Sequence, residues 1–206
     1  MILAIETSTG ICSVALLADG EVVEAREERI GRGHAERLVP MVDDLLGPHV
    51  PTHILVSAGP GSFTGIRVGI AAAQGLSIGW QVPLAAFSSL SLIAAAARAE
   101  AGSDAPILAA MPGGHGELFV QAFGGSPLAP LDDARSLAPA DAAALADPDT
   151  LLAGPAAKAL ADAGAPGTVL PIDPLARHAA LLPADLAALP PLPLYVRAPD
   201  AKPKAA

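Results

Sequence analysis

Met1-Ile-Leu-Ala-Ile-Glu-Thr-Ser-Thr-Gly10, followed by Ile11-Cys-Ser-Val-Ala-Leu-Leu-Ala-Asp-Gly20, decides the fold class. Ile2–Glu6 reads as a buried strand, Thr7–Gly10 as a turn and Ile11–Ala18 as a second strand. Asp19-Gly20 is a hairpin signal, and the alternation in Glu21–Glu28 suits a half-exposed third strand. A helix over His34–Leu46 follows, ended by Gly47-Pro48; Pro40 inside it means that the helix kinks or begins late. Ile54–Ala58 is a short buried strand, and Ser62 or Thr64 can cap a helix running to Gly79. Val82–Ala86 is another strand, and Ser88 or Ser89 caps a helix ending near Ala101-Gly102. Three antiparallel strands, then helix, strand, helix, strand, helix, predict an α/β layered fold on a mixed five-stranded sheet.

Beyond Ser103 the pattern thins. Ile107–Met111 and Glu117–Phe123 read as strands joined by a turn at Pro112-Gly-Gly114. Ala, Pro, Leu and Asp dominate afterwards, with short helices predicted at Pro139–Leu145, Pro155–Ala163 and Pro174–Leu181. The expected organisation is a first lobe over residues 1–103, an abbreviated second lobe over 104–199 and a frayed tail over 200–206.

Composition excludes several classes. With 206 residues, 52% apolar and 16% charged, the chain buries a core and is not disordered throughout. Aromatics are only 3%, so that core is aliphatic. A net charge of −9 repels a phosphate backbone and argues against unaided nucleic-acid binding. The single cysteine, Cys12, rules out an internal disulfide or a cysteine-based zinc cluster and suits a reducing cytoplasm. The start lacks a basic region, and Glu6 interrupts its apolar run too early for a secretory leader. No charge falls between Arg67 and Arg98, but Gln74, Gly75, Gly79, Gln81 and Pro83 cut that stretch short of the roughly 20 apolar residues of a membrane helix.

Candidate chemistry is sparse. Gly59-Pro-Gly-Ser-Phe-Thr-Gly65 lies between strand and helix, where glycine loops bind phosphate, yet it matches neither the dinucleotide fingerprint nor the Walker loop. His49 and His53 have helical spacing, but Pro48 and Pro51 forbid the helix; His34 is followed four residues later by Leu38, not by a histidine. Glu6, at a strand end, could hold magnesium only beside a second carboxylate, and the neighbouring strands carry none. No metal or cofactor site is therefore predicted.

The helix Ser62–Gly79 is the most informative segment. Each of Gly65, Gly69, Gly75 and Gly79 costs about 1 kcal/mol against alanine, a cost that points to close approach of another backbone. Small or apolar residues on nearly every side predict burial all round, more than one sheet face can supply. The candidate partner-binding set is therefore His34, Leu38, Met41, Val42 and Leu45 on one helix, with Gly65, Ile66, Gly69, Ile70 and Ala73 on the other. Packing in the chain's own core is the competing reading of the same residues.

Five blocks carry a family resemblance: Met1–Ser8, Gly33–Pro40, Ala58-Gly-Pro-Gly-Ser-Phe-Thr-Gly-Ile-Arg-Val-Gly69, Phe87–Leu90 and Tyr195–Asp200. In type and order they resemble the TsaB (YeaZ-type) family. The resemblance implies an actin-like (ASKHA, RNase H-like) two-lobed fold. It also implies a non-catalytic role in forming threonylcarbamoyladenosine beside the tRNA anticodon. The expected partners are a homologous, metal-binding TsaD-type transferase and a TsaE-type ATPase, with tRNA reached only through the complex. A homodimer through the same surface is a further expectation. Where the family often has Asp-Ala-Arg, this chain has Pro112-Gly113-Gly114. The alternative class is an enzyme acting alone, an actin-like phosphotransferase or a metallopeptidase.

Overall fold

The computed structural model describes residues 1–197. The tail, and Ala198–Asp200 of the last resemblance block, lie outside the described residues. Strands β1 (Ile2–Glu6), β2 (Ile11–Ala18) and β3 (Glu21–Arg29) form an antiparallel meander. Strands β4 (His53–Ser57) and β5 (Leu84–Phe87) add in parallel beyond β1, giving the order β3-β2-β1-β4-β5. Helices α1 (His34–Leu46) and α2 (Phe63–Trp80) are the crossovers. Pro40 does not delay α1: its ring lies on an exposed turn, and the helix runs through it.

Strand alternation assigns side chains to layers. Leu3, Ile5, Val14 and Val56 share a core with Leu38, Met41 and Val42 of α1 and Ile66, Ile70 and Ala73 of α2. Ala4, Ala15 and Leu17 form the opposite face. The second sheet has the order β11-β10-β6-β7-β8, with β9 also paired to β7. It is built on the hairpin β6 (Ile107–Gly114) and β7 (Glu117–Gly124), with β8 (Ala129–Pro130), β9 (Arg135–Leu137), β10 (Leu151–Ala153) and β11 (Thr168–Leu170). Helices α4 (Pro139–Ala143) and α5 (Ala157–Asp162) cover its outer face.

Helix α3 (Ser89–Ala101) lies between the two sheets. Leu92 joins Phe87 and Ala4 on one side, while Leu90, Ile93 and Ala97 join Ile107, Met111 and Phe123 on the other. Every residue from Ser89 to Ala97 is buried. The burial all round that was expected of Ser62–Gly79 thus belongs to α3, whose alanines let two sheets approach at once.

After β11 the chain returns to the first sheet. The predicted helix Pro174–Leu181 is a 3₁₀ helix, Ala176–Leu181, seated on the Ala4–Ala15 face, and the Ala176 amide donates to Ser13 Oγ at 3.0 Å. Leu189 and Ala86 exchange amide bonds of 2.8 and 2.9 Å, and the Leu194 amide donates to the Ala58 carbonyl at 2.8 Å. This closing strap covers the free edge of β5, which would otherwise invite pairing with another chain. No helix among the described residues is long and apolar enough to cross a membrane.

Candidate partner-binding site

Ser62 caps α2 by accepting the Gly65 amide at 3.2 Å. The start of the helix is seated on the turn after β1. Thr7 Oγ1 donates to the Gly65 carbonyl at 2.9 Å, and the Ser62 amide donates to the Ser8 carbonyl at 2.6 Å. A methyl group on Gly65 would overlap the Thr7 carbonyl oxygen, and one on Gly69 would overlap Thr7 Oγ1. These two glycines therefore admit the chain's own β1 turn, not a second molecule. A methyl group on Gly75 or Gly79 meets nothing within 4 Å.

The structure brings the ten predicted residues together, but on the inside. His34, Leu38, Met41, Val42, Leu45, Gly65, Ile66, Gly69, Ile70 and Ala73 are all buried between the helices and the sheet. As a surface this set is corrected: a helix buries one stripe against its sheet, and that stripe is this one. His34 Nε2 is enclosed there without a hydrogen-bond partner. The outward stripe of α2 is Phe63, Arg67, Ala71, Gln74, Gly75 and Ile78, with Phe63 57% and Ile78 79% exposed. On α1 the outward residues include Ala35, Val39 and Asp43.

At the head of α2 three exposed side chains interlock. The Arg67 guanidinium lies 3.8 Å from the Phe63 ring centre and 6.0 Å from that of Tyr195. Its Nε donates to the Tyr195 hydroxyl at 3.0 Å, and the two rings stack with centres 5.9 Å apart. Sequence reading missed this cluster, because Tyr195 arrives on the closing strap and no local pattern links it to Arg67.

Glu6 is fully buried and enclosed by hydroxyl groups. Its carboxylate accepts the Ser8 amide at 2.5 Å and the Ser89 hydroxyl at 3.0 Å. Ser89 Oγ lies 2.8 Å from Ser8 Oγ and 2.7 Å from Ser57 Oγ. Burial raises the Glu6 pKa above the ordinary carboxylate value, and the hydrogen bonds from Ser8, Ser57 and Ser89 oppose that rise. Ser88, not Ser89, caps α3, which frees Ser89 for this network. Glu6 thus ties β1, β4 and α3 together. Cys12 is buried, and desolvation pushes its thiol up to about 11. His53 begins β4, so it shares no helix with His49. Among the described residues no group of three His, Cys, Asp or Glu gathers as a metal site.

Comparison with known proteins agrees with this architecture. A sequence profile of the TsaD family, tRNA N6-adenosine threonylcarbamoyltransferase, matches residues 24–176. The tRNA threonylcarbamoyladenosine biosynthesis protein TsaB of Escherichia coli (strain K12) is 42% identical over 123 residues, 57% of this chain and 52% of that protein. The Bacillus subtilis (strain 168) protein of the same name is 36% identical over 117 residues, 54% of this chain and 51% of its own length. The chain spans about half the length of these curated relatives. The solved structure described as YeaZ from Pseudomonas aeruginosa superposes with a TM-score of 0.79 at 30% identity, covering 94% of this chain and 98% of that one. With the resemblance blocks in order and a solved YeaZ structure matched over nearly its whole length, the chain belongs to the TsaB (YeaZ-type) family.

Proposed function

We propose that this chain is the non-catalytic subunit of a complex forming threonylcarbamoyladenosine beside the tRNA anticodon. It pairs with a TsaD-type transferase, works with a TsaE-type ATPase, reaches tRNA only through them and acts in the cytoplasm. The partner meets the outer faces of α1 and α2. The observation that carries this reading is the uncovered stripe Phe63–Arg67–Ala71–Gly75–Ile78. Gly75 and Gly79 have no packing reason inside the chain, and their missing side chains leave room for an incoming helix. A two-fold contact could reuse the same face for a homodimer.

The enclosure of Glu6 supports the non-catalytic part of the reading. A carboxylate fully wrapped by Ser8 and Ser89 serves as a tie between elements and presents no face to a substrate. The division into lobes at residues 1–103 and 104–199 belongs to the same proposal, with the closing strap running back over the first sheet.

Size-exclusion chromatography with the transferase tests the pairing. Ile78→Glu and Ala71→Glu should each abolish co-elution while circular dichroism is unchanged, because both sites are exposed in the single chain and an unpaired charge in an interface is unfavourable. Pure chain should show no threonylcarbamoyl transfer. Co-elution of both variants with the transferase would place the interface elsewhere.

A further inference from the structure

Two stretches that carry the family resemblance, one within Ala58–Gly69 and one beginning at Tyr195, are far apart in sequence but meet in space. The contact joins Phe63 and Arg67 to Tyr195, 128 residues further along from Arg67. Core packing does not require it: Phe63 is 57% and Tyr195 50% exposed. The closing strap nevertheless holds Tyr195 in place through the Leu194 amide bond to Ala58. The result is a rigid, half-exposed assembly of two rings and one guanidinium, the residue types that dominate binding energy in protein interfaces.

Arg67 is also uncompensated within the described residues. Among the described residues no carboxylate pairs with it, although the chain carries a net charge of −9. Its Nε is committed to Tyr195, which fixes the plane of the guanidinium and leaves the two terminal nitrogens as the fork of donors for a carboxylate. Helix α2 contains no acidic residue. A second copy packed α2 against α2 would bring no carboxylate from that helix to Arg67.

We infer that Phe63, Arg67 and Tyr195 are the hot spot of the partner surface, where Arg67 receives a carboxylate of the transferase subunit. This rests on the reading that the transferase binds α2, and names the point and the chemistry that fix its register. Lysine substitutes only in part, because a point charge lacks the planar stack on the Phe63 ring and the fixed fork of donors.

Titration calorimetry of the chain with the transferase, at two salt concentrations, tests the inference. Arg67→Ala should weaken binding by about tenfold or more and flatten its salt dependence, and Phe63→Ala should weaken it comparably. Arg67→Lys should restore the salt dependence and only part of the affinity. All three residues are exposed, so circular dichroism should be unchanged. If Arg67→Ala and Phe63→Ala bind as the wild type while Ile78→Glu does not bind, the inference falls and the α2 interface stands. If Ile78→Glu binds normally as well, both fall. Loss of self-association with heteromeric affinity intact would assign the cluster to a homodimer and overturn the inference. Tight tRNA binding by the chain alone, lost on Arg67→Ala, would make it a base-stacking platform and overturn it equally.

Discussion

Thr7 and Gly65 are locked together: the threonine hydroxyl donates to the glycine carbonyl at 2.9 Å, and the glycine has no side chain because the Thr7 backbone occupies its place. The head of α2 is therefore positioned by the end of β1, and its glycines fall into two kinds.

Alanine substitution should separate them. Gly65→Ala and Gly69→Ala force Thr7 and the β1 turn to move, and should destabilise the chain by about 1–3 kcal/mol. Gly75→Ala points into open space and should stabilise the isolated chain by about 0.5–1 kcal/mol through helix propensity alone. Urea unfolding of the three variants checks the order. If Gly75→Ala weakens transferase binding while raising the urea midpoint, the glycine is kept for the partner.

The second prediction concerns Glu6. Its pKa is raised in the folded state, so folding favours the protonated form, and the stability linked to that proton is present below the unfolded value of 4.5. That contribution is lost as pH rises through the raised folded value. Glu6→Gln keeps the shape without the buried charge, so its stability relative to the wild type should improve between pH 4 and pH 8. His178 acts in the opposite sense. Burial, helped by Arg177, lowers its pKa to about 4, so stability falls as pH drops from 6.5 towards 4. Both proteins contain His178, so its effect cancels in the difference. Melting temperatures of both across that range decide the matter, and a difference independent of pH would show that Glu6 does not titrate differently on folding.

Removing the closing strap should expose the edge of β5. A chain ending at residue 188 loses the paired bonds between Leu189 and Ala86 and the Leu194 bond to Ala58. It should melt several degrees lower and aggregate with time, as an uncovered parallel edge does. Light scattering beside thermal unfolding measures both effects.

Binding of tRNA by the isolated chain should be weak and vanish at moderate salt. A net charge of −9 gives few phosphate contacts, and the residual attraction is screened as ionic strength rises. Filter binding over a salt series checks this.

The first hundred residues were legible because their periods change sharply. The alternation read in Glu21–Glu28 gives way to helical spacing in α1, with Gly47-Pro48 between α1 and β4. Strands β10 and β11, of three residues each, were not legible: Leu151-Leu-Ala153 is indistinguishable from its Ala- and Leu-rich surroundings, and only pairing with β6 makes it a strand. The orientation of α2 was hidden for a related reason. Its inner stripe, Gly65, Ile66, Gly69, Ile70 and Ala73, and its outer one, Phe63, Arg67, Ala71, Gln74, Gly75 and Ile78, are both mostly small or apolar, and only Arg67 and Gln74 mark the outer one. Hydrophobic spacing therefore located two faces without saying which met the sheet. The cluster at Arg67 depends on a contact between distant residues, for which a single sequence carries no local signal.

Helix α3 contributes one side chain set to each sheet, so the layer between the sheets is finished only when both halves are present. A fragment ending at residue 103 would carry Leu90, Ile93 and Ala97 bare to water, and a fragment beginning at 104 would lack the helix that roofs Ile107, Met111 and Phe123. A cut at that point would bare apolar surface on both pieces at once.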